Sequence, residues 1–127
     1  MQEKYLFEYA VIRVMPRVER EEFLNVGIIL YCAKQNFLKS IFIVDEKRLN
    51  IFSADIDFSE LNENLLAFER ISAGAKGSGT IGKYDIASRF RWLTATRSTV
   101  VQCSKVHPGF SSNADETLLK LFNQLVL

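Results

Sequence analysis

Between Tyr5 and Met15 the chain reads YLFEYAVIRVM, a run of aromatic and β-branched residues stopped by Pro16, and this predicts a strand. Side chains alternate across a strand, so Ala10, Ile12 and Val14 share one face while Tyr9, Val11 and Arg13 share the other. An arginine is thereby projected from the middle of a strand. The next segment, PRVEREEFLNVG, mixes both charges and predicts a connection containing a helical turn. NVGIILYCA, from Asn25 to Ala33, is continuously apolar, and a tight polar turn at Lys34 to Asn36 leads into FLKSIFIVD. Both runs are apolar on both faces, which predicts strands in mid-sheet with cover on each side, or strands that face a partner.

After Val44 the period changes from two to about 3.6 residues. DEKRLNIF predicts a short helix, and Asp57 with Glu60 forms the signature of a capping box ahead of Leu61, Leu65, Phe68 and Ile71 on one stripe. Gly74 closes that helix and AKGSGTIGK follows as a glycine-rich connector. Asp85 caps a third helix with Ile86, Phe90 and Leu93 turned inward. Trp92, two positions after Phe90, falls on nearly the opposite face. STVVQCSKV predicts a fourth strand, HPGFSSN a turn, and Asn113 with Glu116 caps a last helix bearing Leu118, Leu121, Phe122 and Leu125. The expected fold class is α+β: one domain over residues 1–127, an antiparallel sheet of about four strands with helices packed on it. The arrangement expected is a three-stranded meander with the fourth strand returning beside the first.

Composition narrows the function classes. The 127 residues are 48% apolar and carry a net charge of +1, which suits one sizeable core and argues against a protein that coats nucleic acid or anionic membrane with its whole surface. No run approaches the roughly 20 apolar residues of a membrane-spanning helix, so no membrane association and a cytoplasmic location are expected. Cys32 and Cys103 sit in apolar strand-like runs and read as small buried hydrophobes. His107 is the single histidine, and with two cysteines it makes no convincing ligand set, so no metal is expected.

Gly77 to Lys83 spells G-x-x-x-x-G-K, the skeleton of a phosphate-binding loop, but a helix precedes it and Tyr84 stands where Ser or Thr would bind magnesium. The segment therefore reads as a connector, and no cofactor is expected. Two polar groupings carry more chemistry. Arg13, Arg20, Glu22, Asn25, Arg97, Ser98 and His107 form a candidate anion-binding set, since guanidinium groups bind carboxylate or phosphate bidentately and Glu22 could orient them. The alternative is an ion-pair network that pins the connection after Pro16 to the sheet. Arg89, Arg91 and Trp92, with Arg97 just beyond, form a candidate interface, because Trp and Arg are the usual anchors of protein contacts.

The stretches YAVIRVMPRVEREEFLNVGIILYC and RFRWLTATRSTVVQCSKVHPG together resemble the bacterial domain-of-unknown-function family 3037. The resemblance rests on Arg20, Glu22, Phe23, Asn25, Val26 and Gly27 and on Arg89, Phe90, Trp92, Leu93, Arg97, Ser98 and Thr99. The family often has Gly where this chain has Glu21, and Pro where it has Thr96. The resemblance implies a protein partner, a HipA-like kinase encoded nearby being the candidate, more readily than an enzyme. The leading expectation is a non-catalytic accessory or interaction domain, with a homodimer as one form of partnership. An enzyme or ligand-binding domain for an anionic, phosphorylated substrate is the alternative, and a nucleic-acid-binding module the third.

Overall fold

A computed structural model describes residues 3–95 and 99–127. The described residues form five strands, β1 (Tyr5–Val14), β2 (Leu24–Cys32), β3 (Phe37–Phe42), β4 (Val101–Cys103) and β5 (His107–Ser111). They also form four α-helices, α1 (Glu46–Phe52), α2 (Phe58–Ala73), α3 (Ile86–Thr94) and α4 (Ala114–Leu125). Strand order is β3-β2-β1-β4, with β5 also paired to β1, and every pairing is antiparallel. The meander and the return of β4 beside β1 match the expected α+β arrangement.

The alternation in β1 sorts the molecule into two layers. Ala10, Ile12 and Val14 are buried with Leu61, Leu65, Phe68, Phe90 and Leu93 beneath α2 and α3. Phe7 and Val11 are buried with Ile28, Leu30 and Cys32 beneath Ala114, Leu118 and Val126 at the α4 end of the chain. The helices begin where side-chain acceptors occur. Asp57, Asp85 and Asn113 each accept the amide of the residue three positions on, and Gly74 ends α2 with φ 65°. The acceptor at Asp85 works as a carboxylate, and the hydrogen bond from the Ser88 amide holds its pKa below the usual aspartate value. Helix α4 is clamped at both ends. Gln35, in the β2–β3 turn, accepts the Ala114 amide and donates to the Ser112 carbonyl, while Asn25 and Arg48 donate to the carbonyls of Leu125 and Val126.

Two irregularities set the geometry around β1. Between the pairs Ile12–Gly27 and Arg13–Asn25, β2 carries one extra residue, Val26, a β-bulge that turns Asn25 onto the α4 face opposite Arg13. A Cβ on Gly27 would lie 2.4 Å from the Ile41 carbonyl oxygen, so the neighbouring strand's backbone excludes any larger residue there without displacement. On the other side of β1, the returning chain gains one residue between the pairs Ile12–Cys103 and Tyr9–His107. Ser104 spans that break: its amide donates to the Val11 carbonyl and its Oγ accepts from the Val11 amide, each at 2.8 Å. Across the core, Ser40 of β3 and Ser72 of α2 meet through their hydroxyls at 2.7 Å, which satisfies two buried polar groups with each other.

Two expectations are corrected. His107–Ser111 is a strand and not a turn: Pro108 lies on a sheet edge, where its missing N–H costs little, and the Phe7 ring fills the space a Gly109 side chain would occupy. The FLKSIF run is an edge strand and not a mid-sheet one, with Lys39 exposed and paired to Asp115 of α4. Glu21 keeps the tight turn expected of a glycine, with φ 56° in the left-handed region.

Replacing Ser104 by alanine leaves the buried Val11 amide without its hydroxyl acceptor, and stability falls by about 1–3 kcal/mol, measured as a lower urea midpoint at unchanged slope. Glu21→Gly relieves the left-handed strain and raises stability by about 0.5–1 kcal/mol in the same assay.

Candidate functional site

Helix α3 is short, and its inward residues fix where its outward ones go. Phe90 and Leu93 are fully buried, and the Phe90 ring stacks on Tyr31 of β2 with centroids 5.3 Å apart. Trp92, on the opposite face, is 41% exposed. It stands between two depressions. One is a groove of about 270 Å³ walled by Phe68 and Ile71 of α2, Trp92 and Leu93 of α3, and Val101 and Cys103 of β4. The other is shallower and includes Tyr84, Ala87, Ser88 and Arg91. The α2 wall continues through Asn64 and Ala67, so positions 64, 67, 68 and 71 form a helical stripe that shares Phe68 and Ile71 with the core stripe. That stripe was readable in the sequence, since a small Ala67 between Asn64 and Phe68 leaves room on a helix face.

The arginines beside Trp92 act within the domain. Arg89 donates to the Tyr84 carbonyl at 2.9 Å and to the Ser72 carbonyl at 3.5 Å, placing its charge at the C-terminal end of α2, where the helix dipole favours a cation. Arg91 is 2.6 Å from a carboxylate oxygen of Glu8 on β1, an ion pair that ties α3 to the sheet from a partly exposed position. Arg97 and Ser98 lie outside the described residues.

The candidate anion-binding set is dispersed. Arg20 and Glu22 pair with each other on an exposed surface beside α1, in a cleft of about 670 Å³ that also contains Arg17, Arg48 and Asp55. Arg17 and Asp55 pair across this cleft at 3.5 Å. His107 is on β5 with its ring 5.3 Å from that of Tyr9. Arg13 lies four positions beyond Tyr9 in β1, roughly 13 Å along an extended strand. The described members of the set therefore do not line one concavity.

Arg13 and Asn25 do come together. Arg13 is directly opposite Asn25 on β2 and Gln102 on β4, and directly opposed residues share a face, here the one that carries α4. The Arg13 guanidinium lies 3.9 Å over the ring of Phe23, a residue that belongs to the family pattern but not to either candidate site set and that immediately precedes β2. Burial draws the Arg13 pKa down from the ordinary arginine value, yet the group stays protonated. Asn25 donates to Leu125 and Gln102 to the Thr99 carbonyl, so both amides are held in place. The two thiols act as local donors, Cys32 to the Leu6 carbonyl and Cys103 to that of Leu93. Among the described residues no three His, Cys, Asp or Glu side chains gather as metal ligands, and no helix is long and apolar enough to cross a membrane. The Gly77–Lys83 segment follows α2 and contains a 3-10 turn, Ile81–Lys83.

No curated protein and no solved structure matches the chain. One family model does, that of the protein of unknown function DUF3037, over residues 9–126. The match runs from the middle of β1 through the Trp92 ridge to the end of α4, nearly the whole chain, and the protein therefore belongs to the DUF3037 family.

Proposed function

We propose that this domain is a non-catalytic interaction module that receives an apolar side chain of a protein partner in the groove beside Trp92. The observation that carries the reading is the position of Trp92: an exposed indole next to an apolar groove between α2, α3 and β4. A large aromatic bordering an apolar recess is the usual composition of an interface hot spot, because it offers much contact area and little conformational entropy to lose. The Glu8–Arg91 pair borders the same ridge and gives the surface a polar rim. The partner named first is a HipA-like kinase, as the family resemblance implies. The nucleic-acid reading is less favoured, since Arg89 and Arg91 already neutralise a helix end and a carboxylate. The enzyme reading is less favoured because the described residues it needs are dispersed over three parts of the surface.

The test is direct titration of the purified domain with the purified HipA-like kinase, monitored by calorimetry, for the wild type, Trp92→Ala and Ala67→Arg, the last filling the groove from an exposed position on α2. Both variants are first checked for unchanged thermal unfolding. A stoichiometric wild-type complex weakened roughly 30-fold or more by either substitution is the expected result. Binding equal to wild type in both variants, or no complex with the kinase, contradicts the proposal as stated.

A further inference from the structure

The Trp92 groove leaves one charged side chain unexplained on the other face of the sheet. Arg17, Arg20 and Arg91 each have a carboxylate, and Arg48 and Arg89 have carbonyl acceptors. Arg13 has neither among the described residues: its contact is the Phe23 ring, and its Nε, like that of Arg89, is buried without an acceptor. Beside it, the Oδ1 of Asn25 is buried without a donor. The orientation of that amide follows from its bond to Leu125, which takes Nδ2 and leaves Oδ1 unmatched. A buried donor and a buried acceptor are thus both unsatisfied on directly opposed residues. Each such group costs about 1–3 kcal/mol if left so, which a purely structural arginine stacked on phenylalanine would not repay. The stack does something else: it holds the guanidinium plane fixed, so little rotamer freedom remains to be lost when an anion docks on its edge.

We propose that Arg13, Phe23, Asn25 and Gln102 form a binding site for an oxyanion that carries a hydrogen-bond donor beside its acceptor oxygens. Monohydrogen phosphate is the simplest such group, and an α-hydroxy carboxylate has the same complement. Two oxygens of the anion accept from Arg13, and its hydroxyl donates to Asn25 Oδ1. Gln102, opposite Arg13 on β4, is anchored through Thr99 and also borders the Trp92 groove. Phe23 is exposed at the edge of the site, beside the buried Nε and Oδ1. The site does not rest on the reading of the Trp92 groove, and its test uses no protein partner.

The experiment follows the side-chain Nε–H resonance of Arg13 in the wild-type domain by NMR during titration with inorganic phosphate, glycolate, sulfate and chloride at constant ionic strength. Expected are saturable shifts with phosphate or glycolate at a dissociation constant on the order of millimolar or tighter, and weaker binding of sulfate, which has no donor for Asn25. A response to phosphate alone identifies a phosphorylated ligand, and a response to glycolate alone a hydroxy acid. Arg13→Met keeps an unbranched side chain over Phe23 and lowers affinity at least about tenfold, read from the neighbouring backbone amides. No saturable shift beyond that of chloride, sulfate binding as tight as phosphate, or undiminished binding in folded Arg13→Met overturns the proposal. The wild-type titration decides the matter even where the variant does not fold.

Discussion

Strand β1 is paired along both edges and, over its second half, covered on both faces, and the rest of the structure depends on that enclosure. Its backbone is paired to β2 along one edge and to β4 and β5 along the other, and its two faces lie under α2 and α3 or under α4. Ala10, Ile12 and Val14 are wholly buried, and burying a side chain of this size contributes about 1.5–3 kcal/mol where it is as large as valine or isoleucine. The greater effect is on register. A slip of one residue would carry Arg13 into the layer beneath α2 and α3 and bring Ile12 to the face where Arg13 now stands, so the alternation of β1 specifies both layers at once.

The same strand distributes the chemistry. Its α2–α3 face presents Glu8 to Arg91 and so fixes α3, and with it the direction of Trp92. Its α4 face presents Arg13 between Asn25 and Gln102. The two candidate surfaces are therefore back to back across one sheet and share the strand that positions them. Among the described residues most arginines have a carboxylate or carbonyl partner, and the exposed ion pairs contribute at most about 1 kcal/mol each, so they orient elements more than they stabilise the fold. Arg13 differs because it is drawn into the protein without a counter-charge among the described residues.

Much of the fold was legible in the sequence because its signals are local. The alternation of β1, the caps at Asp57, Asp85 and Asn113, and Gly74 after α2 all act within four residues, and each has the expected role. What was misread depends on distant chain. Pro108 and Gly109 have the composition of a turn, and only the presence of the β1 edge and the Phe7 ring makes them a strand. The apolar FLKSIF run could not reveal that, among the described residues, no strand pairs beyond it. Of the site, the sequence identified Arg13, Asn25 and Trp92 as candidates, but their grouping depends on the bulge at Val26, which moves Asn25 to the Arg13 face and has no period of its own. Arg20, Glu22 and His107, which sequence proximity and polarity grouped with them, are carried elsewhere by the turn after Pro16 and by β5.

Native-state hydrogen exchange tests the central role of β1 most directly. If β1 is the element on which both layers depend, the amides of its paired, doubly covered segment, Ala10 to Val14, exchange only through global unfolding, with the free energy obtained from urea denaturation, while amides of the edge strand β3 open at lower cost. Exchange of those β1 amides by a local opening cheaper than that of β3 would contradict the account.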